Sequence, residues 1–123
     1  MGKSVVKQKS YRFALQVVKL CTQLRDGRHY EISSQLLRAG TSIGANVEEA
    51  QAGQSRKDFF AKMTLASKEA RETYYWLRLI TDSGIDKNSQ ELVELMAKSE
   101  ELVKILRSIV KTGDDEKSNT QFH

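Results

Sequence analysis

The sequence predicts an all-α protein, an antiparallel four-helix bundle with up-down-up-down topology. Three observations support this fold class. The 123 residues contain no proline, the residue that most strongly interrupts helices. Four segments repeat apolar residues at intervals of three and four, the spacing of one helix face. Four of the seven glycines lie where this periodicity stops, namely Gly27, Gly53, Gly84 and Gly113.

The length of the chain fits a single domain that buries its own core. We assign residues 1–111 to the bundle and residues 112–123, TGDDEKSNTQFH, to a disordered polar C-terminal tail, because the tail has no apolar period. The single cysteine, Cys21, lies among apolar residues and is predicted to be a buried thiol. No apolar run approaches the roughly 20 residues that span a bilayer, and the start lacks a signal-peptide core. We therefore expect a cytoplasmic protein without membrane contact.

The first predicted helix covers residues 4–25 and is strongly basic. Residues 1–28 contain seven Lys or Arg and one acid. Gly27 is predicted to end the helix by adopting a positive φ. The apolar face consists of Phe13, Val17, Leu20, Cys21 and Leu24, with Ala14 and Val18 at its edge.

The second helix begins near Glu31 and contains two glycines one turn apart, Gly40 and Gly44. Each costs about 1 kcal/mol relative to alanine inside a helix. We therefore expect another backbone or a large side chain to approach closely there, and we place both glycines at an oligomer interface. The alternative is a phosphate-binding loop, but the lysine and the preceding strand of a P-loop are missing. The apolar series is Ile32, Leu36, Ala39, Ile43, Val47 and Ala50.

The third helix is predicted to start at a capping box, Ser55 with Asp58, and to end at Gly84. Its apolar series is Phe59, Met63, Ala66, Ala70, Thr73, Leu77 and Ile80, an alternation of four and three that is typical of a bundle seam.

Three consecutive aromatic residues, Tyr74, Tyr75 and Trp76, lie on this third helix. Successive helical residues point about 100° apart, so the three rings cover more of the circumference than one core can bury. At least one should be exposed or buried against a partner, and we predict that they belong to an oligomer interface. Stacking of the rings on unpaired bases is the alternative.

The fourth helix is predicted to start at Asn88 with Glu91. Its seam is Leu92, Met96, Ser99, Val103, Leu106 and Val110, with Leu95, Leu102 and Ile109 beside it. The connections between all four helices are short, which makes consecutive helices antiparallel neighbours.

No catalytic machinery is recognisable. The only histidines, His29 and His123, do not belong to the Glu-x-x-His pairs of di-iron bundles. The acidic pairs Glu48–Glu49 and Glu69–Glu72 are attributed to ion pairs, for example Lys68 with Glu72. Acid/base chemistry or magnesium binding is the alternative for these acids. We expect a protein that is not an enzyme and needs no cofactor or metal.

The stretch LLRAGTSIGANVEEAQAG followed by KDFFAKMTLASKEARETYYWLRLI closely resembles the small bacterial proteins encoded within intervening sequences of 23S rRNA genes, the S23 family. The likeness covers residues 11–110. It implies the same four-helix bundle, a homopentameric ring and binding of RNA or DNA by basic surfaces, but no catalytic residue. A more distant relative is the accessory protein of diversity-generating retroelements, which works with a reverse transcriptase. A nucleic-acid-processing protein is therefore another implied partner.

The functional hypothesis is a non-enzymatic homo-oligomer that binds RNA or a nucleoprotein complex through phosphate contacts. The alternative is an oligomeric protein–protein interaction adaptor that does not bind nucleic acid. The candidate nucleic-acid-binding residues are Lys9, Arg12, Lys19, Arg38, Arg56, Lys57, Lys68, Arg71 and Arg78.

Overall fold

The protein folds into four helices, as the sequence predicts. A computed structural model of the chain describes residues 2–87 and 89–121, with side chains for residues 5–87 and 89–118. The helices are α1 (Gly2–Asp26), α2 (Tyr30–Ala52), α3 (Arg56–Ser83) and α4 (Gln90–Gln121). Consecutive helices pack against each other, and α4 closes the bundle against α1. Among these described residues the diagonal pairs, α1 with α3 and α2 with α4, make no close contact.

One hydrophobic core runs through the bundle, and the predicted apolar series line it. On α2 and α3 the predicted positions are buried, apart from Ile32 and Phe59, which are half-buried at the ends. On α4 the most deeply buried row is Leu92, Leu95, Ser99, Leu102 and Leu106. Met96, Val103 and Val110 of the predicted α4 seam are half-buried at its edge. The prediction was therefore wrong about the rotation of α4, because two adjacent rows of this helix are apolar.

Local hydrogen bonds and backbone angles explain most helix ends. Ser55 caps α3 by accepting a hydrogen bond from the Asp58 amide at 3.1 Å, and Gly84 ends α3 in the left-handed region with φ 70°. Both features were predicted. The end of α1 differs, because the left-handed residue is Arg28 with φ 68°, not Gly27.

Ser89 caps the start of α4. Its hydroxyl accepts from the Leu92 amide at 3.1 Å and donates to Asp86 at 2.8 Å. The residue predicted for this role, Asn88, lies outside the described residues.

The predicted disordered tail is wrong for residues 112–121, because α4 continues as a helix through Gly113 to Gln121. Gly113 is buried against Phe60 of α3: a Cβ atom added at Gly113 would lie 2.6 Å from the ring. Glu116 forms an ion pair with Arg56 of α3. The sequence has no apolar repeat here, and this part of α4 is instead held by its contact with α3. Phe122 and His123 lie outside the described residues.

The close approach expected at the two glycines of α2 is present, but the neighbour is α1 of the same chain. A Cβ atom on Gly40 would lie 2.9 Å from both methyl groups of Val17. One on Gly44 would lie 3.4 Å from the Ser10 carbonyl oxygen. Both glycines are buried, so their assignment to an oligomer interface is wrong.

Cys21 is a buried thiol, as predicted. Its Sγ donates to the Ser33 carbonyl oxygen at 3.4 Å, and the Ser33 hydroxyl donates to the Cys21 carbonyl oxygen at 3.1 Å. Burial raises the pKa of the Cys21 thiol, and the hydrogen bond with Ser33 opposes this effect.

Two buried serines should respond differently to replacement by alanine. Ser33 is hydrogen-bonded to α1, whereas the buried Ser99 hydroxyl has no partner among the described residues. Ser33→Ala should lower the free energy of unfolding by about 1 kcal/mol, while Ser99→Ala should leave it unchanged or raise it by up to about 1 kcal/mol. Urea denaturation measures both. Equal losses for the two variants would contradict this difference.

Candidate nucleic-acid interface

The exposed surface of α3 carries a row of residues spaced by seven, which places them on one side of the helix. This basic row consists of Lys57, Thr64, Arg71 and Arg78. The row lies beside α4. Lys57 and Thr64 line a groove with residues of α4, and Arg78 lies over Tyr74, whose hydroxyl donates to Glu100 of α4 at 3.1 Å.

An exposed aromatic ring accompanies the basic row. Tyr75 is 47% exposed. The guanidinium of Arg78 lies 5.4 Å from the ring centroid of Tyr74 and 5.8 Å from that of Tyr75. Lys68 is exposed and seven residues before Tyr75. This part of α3 therefore combines cations with a flat aromatic surface. The hydrogen bond to Glu100 raises the pKa of the Tyr74 hydroxyl, and desolvation adds to that rise.

The opposite edge of the exposed α3 face, beside α2, is apolar and acidic. Leu65 and Leu79 are 45% and 38% exposed, and Glu72 lies midway between them in the sequence. Glu72 pairs with Arg38 of α2 and accepts a hydrogen bond from the Trp76 indole at 3.0 Å. Cations and apolar residues thus occupy different edges of the exposed α3 face.

The nine predicted cations do not form a single surface. Three are ion-paired within the chain: Lys9 with Glu101 at 2.9 Å, Arg38 with Glu69 at 3.2 Å and with Glu72, and Arg56 with Glu116. Lys9, Arg12 and Lys19 lie on α1, diagonally opposite α3. Of the nine, the structure brings together the five that lie on α3, which are Arg56 at the start of the helix and Lys57, Lys68, Arg71 and Arg78.

Tyr75 is exposed, as predicted for at least one of the three aromatic rings. Their place in an oligomer interface stays a prediction. Tyr74 and Trp76 are half-buried, and each bonds to a glutamate of the same chain. Trp76 also packs against the core. Of the three aromatic rings, the one most accessible to a partner is therefore that of Tyr75.

The acids Glu69 and Glu72 form ion pairs as predicted, but their partner is Arg38 of α2 and not Lys68. The other acidic pair, Glu48 and Glu49, is exposed on α2. No group of three or more His, Cys, Asp or Glu side chains that could hold a metal ion occurs in the described part of the chain. None of the four helices, over these residues, has an apolar stretch that could span a bilayer.

A second exposed apolar surface lies on α1, and the sequence analysis missed it. Tyr11, Leu15 and Val18 are 56%, 52% and 46% exposed. Their spacing of four and three is that of a helix face, and this pattern was visible in the sequence. Val18 was predicted at the edge of the core-facing stripe, but its side chain points outward with Tyr11 and Leu15.

A groove of about 530 Å³ lies between the start of α3 and the end of α4. At its mouth Arg56 donates from Nε to Oε2 of Glu116 at 3.2 Å and from Nη2 to Oε1. The hydrogen bonding and the charge of Glu116 raise the pKa of Arg56. The lining residues are Arg56, Lys57, Phe60, Ala61, Thr64, Val110, Gly113, Asp114, Glu116 and Lys117.

Comparison with known proteins gives the family of the chain. The model of the family described as 23S rRNA-intervening sequence protein matches residues 2–108. The chain belongs to this family. Its fold is shared by a crystal structure of a protein with unknown function from the S23 ribosomal protein family of Bacteroides thetaiotaomicron, with a TM-score of 0.81. That protein is 42% identical, and the match covers 90% of this chain and 99% of that chain. Among curated proteins no match was found.

Family membership confirms the resemblance noted in the sequence. The family match ends at residue 108, so the last part of α4, which contains Gly113 and Glu116, lies beyond the matched region. The basic row and the exposed aromatic ring of α3 lie within it.

Proposed function

We propose that this family member is a non-enzymatic homo-oligomer that binds RNA through the basic row of α3. One observation carries the proposal. Lys57, Lys68, Arg71 and Arg78 share one exposed helix face with Tyr75, and in the described structure no carboxylate forms an ion pair with any of these four cations. Cations free of internal ion pairs are available to phosphates without the loss of an ion pair.

The dimensions of this face suit an extended polyanion. From Lys57 to Arg78 the helix rises about 30 Å, so the cations contact a strand at several points instead of binding one small anion. Arg78 stacked against Tyr74 and Tyr75 provides a flat cationic surface on which an unpaired base can stack. The four cations predict a log–log slope of affinity against salt of about −3 per binding face.

The family description supports RNA as the first polyanion to test, because it names the 23S rRNA intervening sequence. The probe is a 23S rRNA fragment that carries such a sequence, compared with poly(U) and with duplex DNA of similar length. Fluorescence anisotropy at low salt should show binding that weakens steeply as salt rises. Undetectable binding to all three probes at low salt would overturn the proposal.

Two different apolar surfaces on diagonally opposite helices support the proposed assembly. The first is Tyr11, Leu15 and Val18 on α1, and the second is Leu65 and Leu79 on α3. If the α1 surface of one subunit packs against the α3 surface of the next subunit, the contact is heterologous. Repetition of this contact generates a closed ring when the rotation between subunits divides a full turn. The pentamer implied by the family resemblance is a ring of this kind.

Charge supports the same pairing of surfaces. The α1 surface is flanked by the exposed cations Arg12 and Lys19, whereas the α2 side of α3 carries two half-buried acids, Glu69 and Glu72, that share one cation, Arg38. The excess of acid over Arg38 at this edge is complementary to basic α1, which favours α1 of one subunit against α2 and α3 of the next. In this arrangement the basic row, on the α4 side of α3, remains open to RNA.

Leu15→Glu on α1 is expected to dissociate the oligomer, because it places a charge in an apolar contact surface. Leu79→Glu on α3 should have the same effect. Val93→Glu is the matched control, since Val93 is an exposed valine on α4 outside both surfaces and is 58% exposed. Light scattering after size-exclusion chromatography measures the mass. A monomeric wild type, or equal dissociation by Val93→Glu, would contradict the proposed contact.

A protein–protein adaptor is the second candidate function, and the same exposed apolar residues favour it. The charge-reversal variant Lys57→Glu/Arg71→Glu separates the two functions. If the oligomer stays intact and RNA binding is lost, the RNA-binding function is supported. If the oligomer dissociates, the basic residues serve subunit contacts and the adaptor is favoured.

A further inference from the structure

The end of α4 makes specific contacts with the start of α3, although its sequence is polar. Gly113 is buried and allows the α4 backbone to lie directly against Phe60. Three residues later Glu116 reaches Arg56, whose guanidinium also lies 5.4 Å from the centroid of the Phe60 ring. We call residues 109–118 the acidic clasp. It lies beyond the part of the chain that the family model matches.

The clasp binds the same nitrogen atoms of Arg56 that would donate hydrogen bonds to a phosphate. Glu116 accepts from Nε and Nη2 with its two carboxylate oxygens. Arginine binds phosphate oxygens in the same bidentate geometry. Asp114 and Lys117 of the clasp line the same groove as Arg56 and Lys57. The clasp therefore places carboxylates where the basic row begins.

We infer that the acidic clasp is an autoinhibitory element that competes with RNA phosphates for Arg56. This inference rests on the proposed RNA binding. When the clasp is closed, Glu116 holds the Arg56 guanidinium and RNA contacts the basic row without it. When RNA displaces Glu116, Arg56 extends the contact surface, so clasp opening and tight RNA binding are linked.

Two variants open the clasp by different means. Glu116→Gln removes the competing charge. Gly113→Ala forces Phe60 and the α4 backbone apart, because its Cβ would lie 2.6 Å from the ring, and it preserves the net charge. Alanine also has a higher helix propensity than glycine, so any opening of the end of α4 in this variant comes from the lost contact with α3. Asp115→Asn is the matched control: it removes the same charge as Glu116→Gln, but Asp115 is exposed and does not line the groove.

Glu116→Gln should raise the affinity for poly(U) RNA about fivefold at about 0.1 M salt, because one additional phosphate contact contributes roughly this factor. Gly113→Ala should also tighten binding, and Asp115→Asn should change it less than about twofold. Hydrogen exchange at residues 110–118 should quicken in both opening variants and when wild type binds RNA.

The inference is overturned if Glu116→Gln and Asp115→Asn tighten binding equally, since net charge alone would then explain the effect. It is also overturned if Gly113→Ala quickens exchange without changing affinity. If the wild type binds RNA and neither opening variant binds more tightly, the clasp inference alone fails. If no variant binds RNA, the proposed function fails as well.

Discussion

Reversing two charges of the basic row, Lys57→Glu with Arg71→Glu, is expected to weaken RNA binding by at least about 30-fold at roughly 0.1 M salt. Each phosphate contact contributes about a fivefold to eightfold gain at this ionic strength, so the loss of two contacts gives this factor and repulsion by the new glutamates adds to it. Neither Lys57 nor Arg71 forms an ion pair in the described structure. Arg71 loses only its hydrogen bond to Ser67, so the fold should be retained.

The control for this variant is Lys104→Glu with Arg107→Glu. Lys104 and Arg107 are exposed on α4 and lie outside the acidic clasp, so the change in net charge is the same but the helix differs. We expect this control to weaken RNA binding only through the change in overall charge. Its loss of affinity should be severalfold smaller than the loss caused by charge reversal on α3. Equal losses would show that RNA responds to net charge and not to the basic row. Circular dichroism and light scattering establish that the bundle and its mass are unchanged.

The second large effect is expected at the contact between α1 and α2. Gly40→Ala should lower the free energy of unfolding by about 1–2 kcal/mol. Its Cβ would lie 2.9 Å from both methyl groups of Val17, and a buried β-branched side chain cannot rotate away easily. Overpacking of this kind costs about 1–3 kcal/mol, from which the better helix propensity of alanine subtracts up to about 1 kcal/mol.

Gly44→Ala is the matched control, because the nearest atom to its added Cβ is the Ser10 carbonyl oxygen at 3.4 Å, an ordinary contact. We expect this variant to be neutral or more stable by up to about 1 kcal/mol. The pair Val17→Ala and Gly40→Ala should cost less together than the sum of the single changes, because the smaller side chain makes room for the new methyl group. Thermal or urea denaturation measures all four variants. Equal stability of Gly40→Ala and Gly44→Ala would contradict the packing argument.

Most of the fold could be predicted because α2 and α3 have one apolar row each and clear end signals. Ser55 and Gly84 perform the roles that their sequence positions indicate. The mid-helix glycines were correctly linked to close packing, but their neighbour could not be identified, since Val17 lies 23 residues away in the sequence. Only the packed arrangement shows that α1 provides it.

The end of α4 could not be predicted from apolar periodicity. Its contact with α3 depends on a missing side chain, at Gly113, and on one ion pair, Arg56 with Glu116. Neither feature appears in a pattern of apolar residues. The same limit applies to the rotation of α4, where Leu95 and Met96 are both apolar and only packing shows which of them is fully buried.

The candidate interface was predicted only in part. Composition identifies the cations, but their grouping depends on which helices are diagonal in the bundle, and this separates Arg12 and Lys19 from the basic row. Internal ion pairs then distinguish Arg38 from Lys57, although both looked alike in the sequence. Such partners come from other helices, so the sequence does not show which cations remain available.

The most direct test of RNA binding by the basic row is the salt dependence of affinity, compared between the wild type and Lys57→Gln/Arg71→Gln. Each phosphate contact contributes about 0.7 to 0.9 to the log–log slope. If these two side chains contact phosphates, the magnitude of the slope should fall by about 1.4 to 1.8 per binding face. An unchanged slope, even with a lower affinity, would show that the basic row does not touch the RNA backbone.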